Sequence, residues 1–112
     1  MNYRKFSNLG WNVSEVGLGC WQIGWCWGDV TDTDARELLT KALDDGINFF
    51  DTSDTYGDGR SERFLSELKK ITKQKIYITT KLGRRVRGTN YAKGYKHKPM
   101  EEFIDRSLKN LG

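Results

Sequence analysis

The fold is decided by residues 46–62, which read GINFFDTSDTYGDGRSE. This stretch opens with a glycine suited to ending a helix, continues as a short apolar strand and stops at Asp51. A glycine-rich loop with one tyrosine, Tyr56, follows, and after it comes the start of another helix. The order of helix, strand, loop and helix is typical of parallel α/β proteins, which present functional side chains at the carboxyl ends of their strands.

The order of strand and helix repeats along the rest of the chain. The hydrophobic spacing predicts a β-hairpin from residues 3–6 and 11–16, strands over 16–21, 47–51 and 76–81, and helices over 32–45, 61–71 and 99–111. Each helix has one apolar face, so we expect all three to pack on one side of a parallel sheet. The predicted fold class is α/β, of the (β/α)8 TIM-barrel type and incomplete here: an N-terminal β-hairpin followed by three βα units. A doubly wound sheet is the alternative, but no G-x-G-x-x-G motif follows the first strand.

Local signals mark where the predicted elements begin and end. Asp32 or Asp34 is suited to cap the first helix, and Gly46 is suited to the left-handed conformation after its end. Pro99 fits the first turn of the third helix. The hairpin is expected to have a structural role, covering one end of a larger assembly of strands.

The composition is that of one globular unit. The chain has 112 residues, of which 37% are hydrophobic and 30% are charged, whereas a complete barrel of this type needs about 250 residues. We therefore expect residues 1–112 to be the N-terminal portion of a single barrel domain with no internal boundary. An apolar leader and a run of about 20 apolar residues are both missing from the sequence, so we expect a cytoplasmic protein without a membrane partner. The sequence leaves the oligomeric state open.

Charge and cysteine content argue against two further kinds of site. Residues 68–100 contain eleven lysines and arginines and no acid, but a strand interrupts this basic block and no recognition motif accompanies it. We therefore expect no nucleic-acid partner and interpret the block as a solvated or anion-facing loop. The cysteines are Cys20 and Cys26 and the single histidine is His97. They cannot supply the four ligands of a structural zinc site, so we predict free thiols and no metal.

Three polar residues are predicted to meet at one edge of the sheet. Asp51 and Lys81 each end a strand, and a buried carboxylate beside an ammonium makes a sensible ion pair. Tyr56 lies in the loop over the same edge. A cation near its hydroxyl would favour the phenolate and lower a pKa that is normally about 10, which would make Tyr56 a usable proton donor. The alternative is that the ion pair is structural and that Tyr56 only packs in its loop.

These segments resemble the aldo-keto reductases. The residues GINFFDTSDTYG at 46–57, with Ser61 and Glu62 after them, look like the characteristic motif of that family. GLGCW at 17–21 is similar to its first barrel strand, ITTK at 78–81 to its lysine strand, and DRSLKNLG at 105–112 to its third helix. The resemblance covers nearly the whole chain in the right order.

The resemblance implies a (β/α)8 barrel that reduces aldehydes or ketones with NADPH. Tyr56 would protonate the carbonyl oxygen, Lys81 would lower the pKa of Tyr56, and Asp51 would hold Lys81. By the same resemblance, Cys20, Trp21 and Asp51 would lie beside the nicotinamide end of the cofactor.

The loop at 83–98 is expected to border the substrate pocket, where Tyr91 and Tyr95 could contact substrate. Trp21, Trp25 and Trp27 are interpreted either as packing within their own loop or as one wall of a ligand pocket.

One part of the family pattern has no counterpart in this sequence. The family has a fourth catalytic residue, a histidine that ends the fourth strand, whereas His97 precedes the third helix. The resemblance places that histidine and the NADPH phosphate site beyond residue 112. It therefore implies that residues 1–112 alone bind NADPH weakly and turn over little.

Two other functions remain open at the level of sequence. The first is a non-catalytic nucleotide-sensing or regulatory subunit, as in the potassium-channel β subunits that the family also contains. The second is an inactive truncated fragment. Retention of Asp51, Tyr56 and Lys81 favours the enzyme, because a pure binding protein would not need a proton relay.

Overall fold

The computed structural model describes residues 1–24, 28–85 and 91–112. The strands are β1 (Tyr3–Phe6), β2 (Trp11–Ser14), β3 (Leu18–Gly19), β4 (Phe49–Asp51) and β5 (Tyr77–Thr79). The helices are α1 (Asp32–Asp44), α2 (Arg60–Ile71) and α3 (His97–Leu111), and there are short 3₁₀ helices at Ser7–Leu9, Gln22–Gly24 and Tyr91–Tyr95. The predicted hairpin and the three βα units are confirmed.

The central sheet has three parallel strands in the order β3-β4-β5. Side chains alternate between the two faces of each strand, so every second residue points toward the helices. The hydrophobic core lies on that face of the sheet. Phe50, in the middle of β4, is fully buried and clusters with leucines of α1 and α2, among them Leu39 and Leu65. Full burial of a side chain of this size contributes roughly 1.5–3 kcal/mol. The alternation leaves Phe49 and Asp51 on the opposite face.

The hairpin covers the end of the sheet where the strands begin. The ring of Trp11 stacks on that of Tyr77 at 4.9 Å between centroids, and the ring of Phe6 lies 6.5 Å from that of Phe49. Phe49 and Tyr77 are the first residues of β4 and β5. The structural role predicted for the hairpin is therefore confirmed, and the edge where these strands end is left to the loops.

The cap of α1 differs from the prediction. Thr31 is the N-cap: its hydroxyl accepts from the backbone N–H of Asp34, whose carboxylate accepts in turn from the backbone N–H of Thr31. This reciprocal capping box satisfies two donors at the helix start, and its threonine lies one residue before the expected start at Asp32. Gly46 has φ 88°, as predicted for the left-handed position.

Other boundaries move by a few residues. The strands are shorter than predicted, and β5 ends at Thr79, two residues before Lys81. Helix α3 begins at His97 rather than at Pro99, so that Pro99 is its third residue. Proline is still tolerated there, since the first turn of a helix has no backbone acceptor for its N–H groups.

Candidate active site

Asp51 and Lys81 meet at the edge where the parallel strands end. Lys81 Nζ lies 2.6 Å from Asp51 Oδ2 and 2.8 Å from the carbonyl oxygen of Thr52. The pair is not buried as predicted, because the side chains are 42% exposed at Asp51 and 50% exposed at Lys81. They lie on the sheet face turned away from the helices, where none of the three helices covers them.

Backbone hydrogen bonds hold the chain segments after β4 and β5 side by side, beyond the last paired strand residues, Asp51 and Thr79. The N–H of Thr52 donates to the carbonyl of Thr79 at 2.8 Å, and the N–H of Asp54 donates to that of Lys81 at 3.1 Å. The backbone around Lys81 is therefore paired with the loop that follows Asp51, although neither segment is a strand there.

Tyr56 is positioned by the tight turn of that same loop. Its N–H donates to the carbonyl of Ser53 at 3.1 Å, and its own carbonyl accepts from the N–H of Ser61 at 3.2 Å. Lys81 Nζ lies 5.3 Å from the centroid of the half-buried Tyr56 ring. The three residues singled out from the sequence are thus brought together.

A glycine lets a second segment of backbone approach Tyr56. A Cβ atom at Gly24 would lie 2.5 Å from the carbonyl carbon of Tyr56, a distance that real side chains do not reach. The neighbouring Gly57 has φ 59° and packs against the carbonyl of Gly24. Close contact of the two backbones fixes the height of the Tyr56 loop above the sheet.

Cys20 and Trp21 follow β3 at the same edge. The Cys20 side chain is fully buried in the helical core, and Trp21 is 41% exposed. Burial, helped by the nearby charge of Asp51, raises the pKa of the Cys20 thiol to about 12. The thiol is therefore neutral and packs as a small apolar group. Trp25, Cys26 and Trp27 lie outside the described residues.

Two arginines hold the outer side of the Tyr56 loop. Arg85 donates to the carbonyl of Asp54 at 2.6 Å and to the carboxylate of Asp58, which also accepts from Arg106 of α3 at 2.7 Å. These hydrogen bonds hold the pKa of Asp58 below its usual range. Sequence reasoning missed this cluster, although the adjacent arginines of the acid-free block were a signal for it.

Asp54 lies in the same loop, but its environment is opposite to that of Asp58. It is fully buried, and its Oδ2 has no hydrogen-bond partner among the described residues. Burial raises the pKa of this carboxyl, against the weaker opposing effect of the Arg85 charge.

The residues that begin α2 are also functional neighbours that the sequence did not reveal. Arg60, Ser61 and Glu62 are all buried, and each bonds to a segment beside the site. Arg60 donates to the carbonyl oxygens of Ile23 and Val30 on the loop after β3. Sequence reasoning named Ser61 and Glu62 only as the start of the helix and as part of the family motif, so the burial of these residues was missed.

The basic loop and the histidine lie further out. Tyr95 is 59% exposed and its ring packs against Gly83, while residues 86–90 lie outside the described part. His97 is on the surface of α3, with Nδ1 3.3 Å from the carboxylate of Glu101. It therefore takes no part in this site.

Two features are absent from residues 1–24, 28–85 and 91–112. No group of three or more His, Cys, Asp or Glu side chains there is arranged to hold a metal ion. In the same residues, no helix has the length and apolar character needed to cross a bilayer.

Comparison with known proteins identifies the class. Residues 15–112 match the model of the aldo/keto reductase family. An L-galactose dehydrogenase from Arabidopsis thaliana is 34% identical over 92% of this chain, and an aldo-keto reductase from Bacillus subtilis is 30% identical over 99% of it. The matches cover 33% and 34% of those proteins, so this chain spans about a third of the length of the curated relatives it matches.

Solved structures agree in fold. A glycerol dehydrogenase from Gluconobacter oxydans superposes with a TM-score of 0.78 at 28% identity, covering 98% of this chain and 36% of that one. The holo form of an aldo-keto reductase from Bacillus halodurans superposes with a TM-score of 0.75 at 29% identity. This match covers 99% of this chain and 36% of that one. The fold is thus a hairpin and three βα units of a (β/α)8 barrel with polar residues at the strand ends. The chain belongs to the aldo/keto reductase family, a family of oxidoreductases.

Proposed function

We propose that the protein is an NADPH-dependent oxidoreductase that reduces small aldehydes or ketones to alcohols. The observation that supports this most directly is the position of Lys81, which lies 2.6 Å from Asp51 Oδ2 and 5.3 Å from the centroid of the Tyr56 ring. A phenol beside a held ammonium is a proton donor whose conjugate base is stabilised by the adjacent positive charge.

The chain's own residues would supply the proton in this reaction. When bound, NADPH would supply the hydride that the carbonyl carbon accepts. The Tyr56 hydroxyl would give its proton to the carbonyl oxygen, which gains the electron pair of the C=O bond. The ammonium of Lys81 would stabilise the resulting phenolate, and Asp51 would hold that ammonium in place. Solvent then returns a proton to Tyr56.

The edge beside Asp51 has room and polarity for the nicotinamide end of the cofactor. Gly19 pairs with Asp51 across the sheet, and a Cβ atom at Gly19 would meet no atom of the described residues within 4 Å. Trp21, two residues after Gly19 at this edge, is 41% exposed. We assign Cys20, Trp21 and Asp51 to this subsite: Trp21 and Asp51 through their side chains, and Cys20 through its backbone, since its thiol is buried.

The length of the matches bears on the whole protein. Because this chain spans about a third of its curated relatives, we propose that residues 1–112 act as the N-terminal portion of a single barrel domain in a cytoplasmic protein. On this proposal the three residues above belong to a site that also takes groups from the rest of such a barrel.

The test begins with the native protein from its source. Its intact mass is measured first, and NADPH consumption is then followed with a panel of aldehydes and ketones, with alcohol formation confirmed by mass spectrometry. Carbonyl-dependent NADPH oxidation supports the proposal. Tight NADPH binding with no hydride transfer to any carbonyl would instead indicate a regulatory subunit, and absence of both would indicate an inactive fragment.

A further inference from the structure

The carboxylate of Glu62 is a fully buried acid that the proposed reaction does not use. The residue is fully buried in the first turn of α2. Its Oε1 accepts from the hydroxyl of Thr80 at 2.8 Å, and its Oε2 accepts from the side-chain amide of Asn110 on α3 at 2.8 Å. A buried carboxylate is costly unless both oxygens are paired, so these two donors are what allows it to stay there.

Ser61, the residue before Glu62, makes a similar set of hydrogen bonds to the segments that follow the strands. The hydroxyl of Ser61 accepts from that of Thr52 at 2.8 Å and donates to the carbonyl of Cys20 at 2.9 Å. Ser61 and Thr52 are both fully buried. Ser61 therefore links α2 to the segments that follow β3 and β4.

The residues that Ser61 and Glu62 hold are chain neighbours of the reactive ones. Thr52 follows Asp51, and Thr80 precedes Lys81. Because side chains alternate along extended backbone, Thr52 and Thr80 face α2 while Asp51 and Lys81 face the opposite side. The first turn of α2 thus holds both extended segments from behind, one residue away from each member of the ion pair.

We propose that Ser61 and Glu62 are positioning residues for the Asp51–Lys81 pair. They set the relative position of the two strand ends through Thr52 and Thr80, and so hold the Lys81 ammonium at the distance that Tyr56 needs. This inference rests on the proposed function for its kinetic consequence, but the positioning itself is a structural claim.

The sharpest test is a matched pair of variants at Thr80. Thr80→Val keeps the shape of the side chain but removes the hydroxyl that donates to Glu62, whereas Thr80→Ser keeps that hydroxyl. In the native protein we expect Thr80→Val to lower kcat about tenfold with little change in KM, because a small misplacement of a reacting group is costly. The pH profile of kcat/KM should shift as well. Thr80→Ser should restore both to within about twofold of the wild type.

A second readout keeps the result separate from the proposed function. The ¹⁵N signal of Lys81 Nζ is compared in the wild type, in Thr80→Val and in an Asp51→Asn reference that breaks the ion pair. We expect the signal to move toward that of the reference in Thr80→Val and to return in Thr80→Ser. If the wild type reduces no carbonyl, the proposed function fails while this measurement still decides the positioning claim.

Two outcomes would overturn the inference. One is a Thr80→Val protein with wild-type kinetics, pH profile and Lys81 signal. The other is a loss of melting temperature in Thr80→Val with an unmoved pH profile and Lys81 signal, which would make the contact purely structural. If Thr80→Val does not fold, Ser61→Ala takes its place, since it removes the parallel link to Thr52.

Discussion

Lys81 Nζ donates both to the carboxylate of Asp51 and to the backbone carbonyl of Thr52, the next residue in the chain. One ammonium therefore binds the side chain and the main chain at the end of a neighbouring strand. This double contact holds Lys81 in one orientation even though half of its side chain is exposed.

The ion pair should matter for turnover and little for stability. Asp51→Asn keeps the shape but removes the charge, and exposed pairs of this kind contribute about 0–1 kcal/mol to stability. We expect a small change in the free energy of unfolding in urea and a marked loss of NADPH-dependent turnover. A matched control is Glu67→Gln, which breaks the 2.9 Å pair of Arg36 and Glu67 at similar exposure (52% and 49%) far from the site. Equal losses of turnover in the two variants would contradict the prediction.

Arg60 should stabilise the folded protein. Its side chain is 10% exposed, lies over the Phe64 ring at 4.8 Å, and donates to two loop carbonyls and to Asp32. Arg60→Met leaves those carbonyls without their donor, which costs about 1–3 kcal/mol by urea denaturation. The exposed Arg63 serves as control, because Arg63→Met should cost less than about 0.5 kcal/mol. Similar unfolding midpoints for both variants would show that the buried contacts of Arg60 do not stabilise the folded protein.

Asp54 should make the protein less stable as the pH rises. Because its pKa is raised in the folded state, that state holds a proton that the unfolded chain releases at its ordinary pKa of about 3.9. Stability is then lost between that value and the raised folded pKa, and the penalty stays constant above it. Asp54→Asn lacks this penalty, so it should be more stable than the wild type at neutral pH.

The comparison is made by urea denaturation at pH 3 and pH 7, and the stability difference between the two proteins should shrink at the lower pH. A variant that is destabilised equally at both pH values would show that Asp54 is not penalised as an ionised group.

Cys20 should not react in the folded protein. Its thiol is fully buried and its pKa is about 12, so almost no thiolate forms near pH 8. We expect iodoacetamide to leave Cys20 unmodified in buffer and to modify it fully in urea, as read by peptide mass spectrometry. A Cys26→Ser background isolates the signal. Rapid modification of Cys20 under native conditions would contradict the burial.

The position of the site was accessible from the sequence because it depends on two regular properties. Parallel strands end at one edge of the sheet, and strand residues alternate between faces, so Asp51 and Lys81 could be placed together before any contact was known. Tyr56 follows because its loop is short and starts at Asp51.

The environment of those residues was not accessible in the same way. Glu62 was placed only at the start of a helix, and its burial depends on Asn110, 48 residues later. The exposure of the Asp51–Lys81 pair likewise depends on which elements cover that face of the sheet. Even the local cap of α1 was misplaced, because Thr31 and Asp34 act as a reciprocal pair rather than as single residues.

The most direct test of the central claim is the turnover number of Tyr56→Phe in the intact protein. Tyr3→Phe is the matched control, since it also removes one phenolic hydroxyl, which donates to the carbonyl of Gly46 away from the Asp51–Lys81 pair. We predict that Tyr56→Phe lowers kcat by at least about 100-fold while NADPH binding is unchanged, and that Tyr3→Phe keeps normal turnover. Wild-type turnover in Tyr56→Phe would contradict the assignment of Tyr56 as the proton donor.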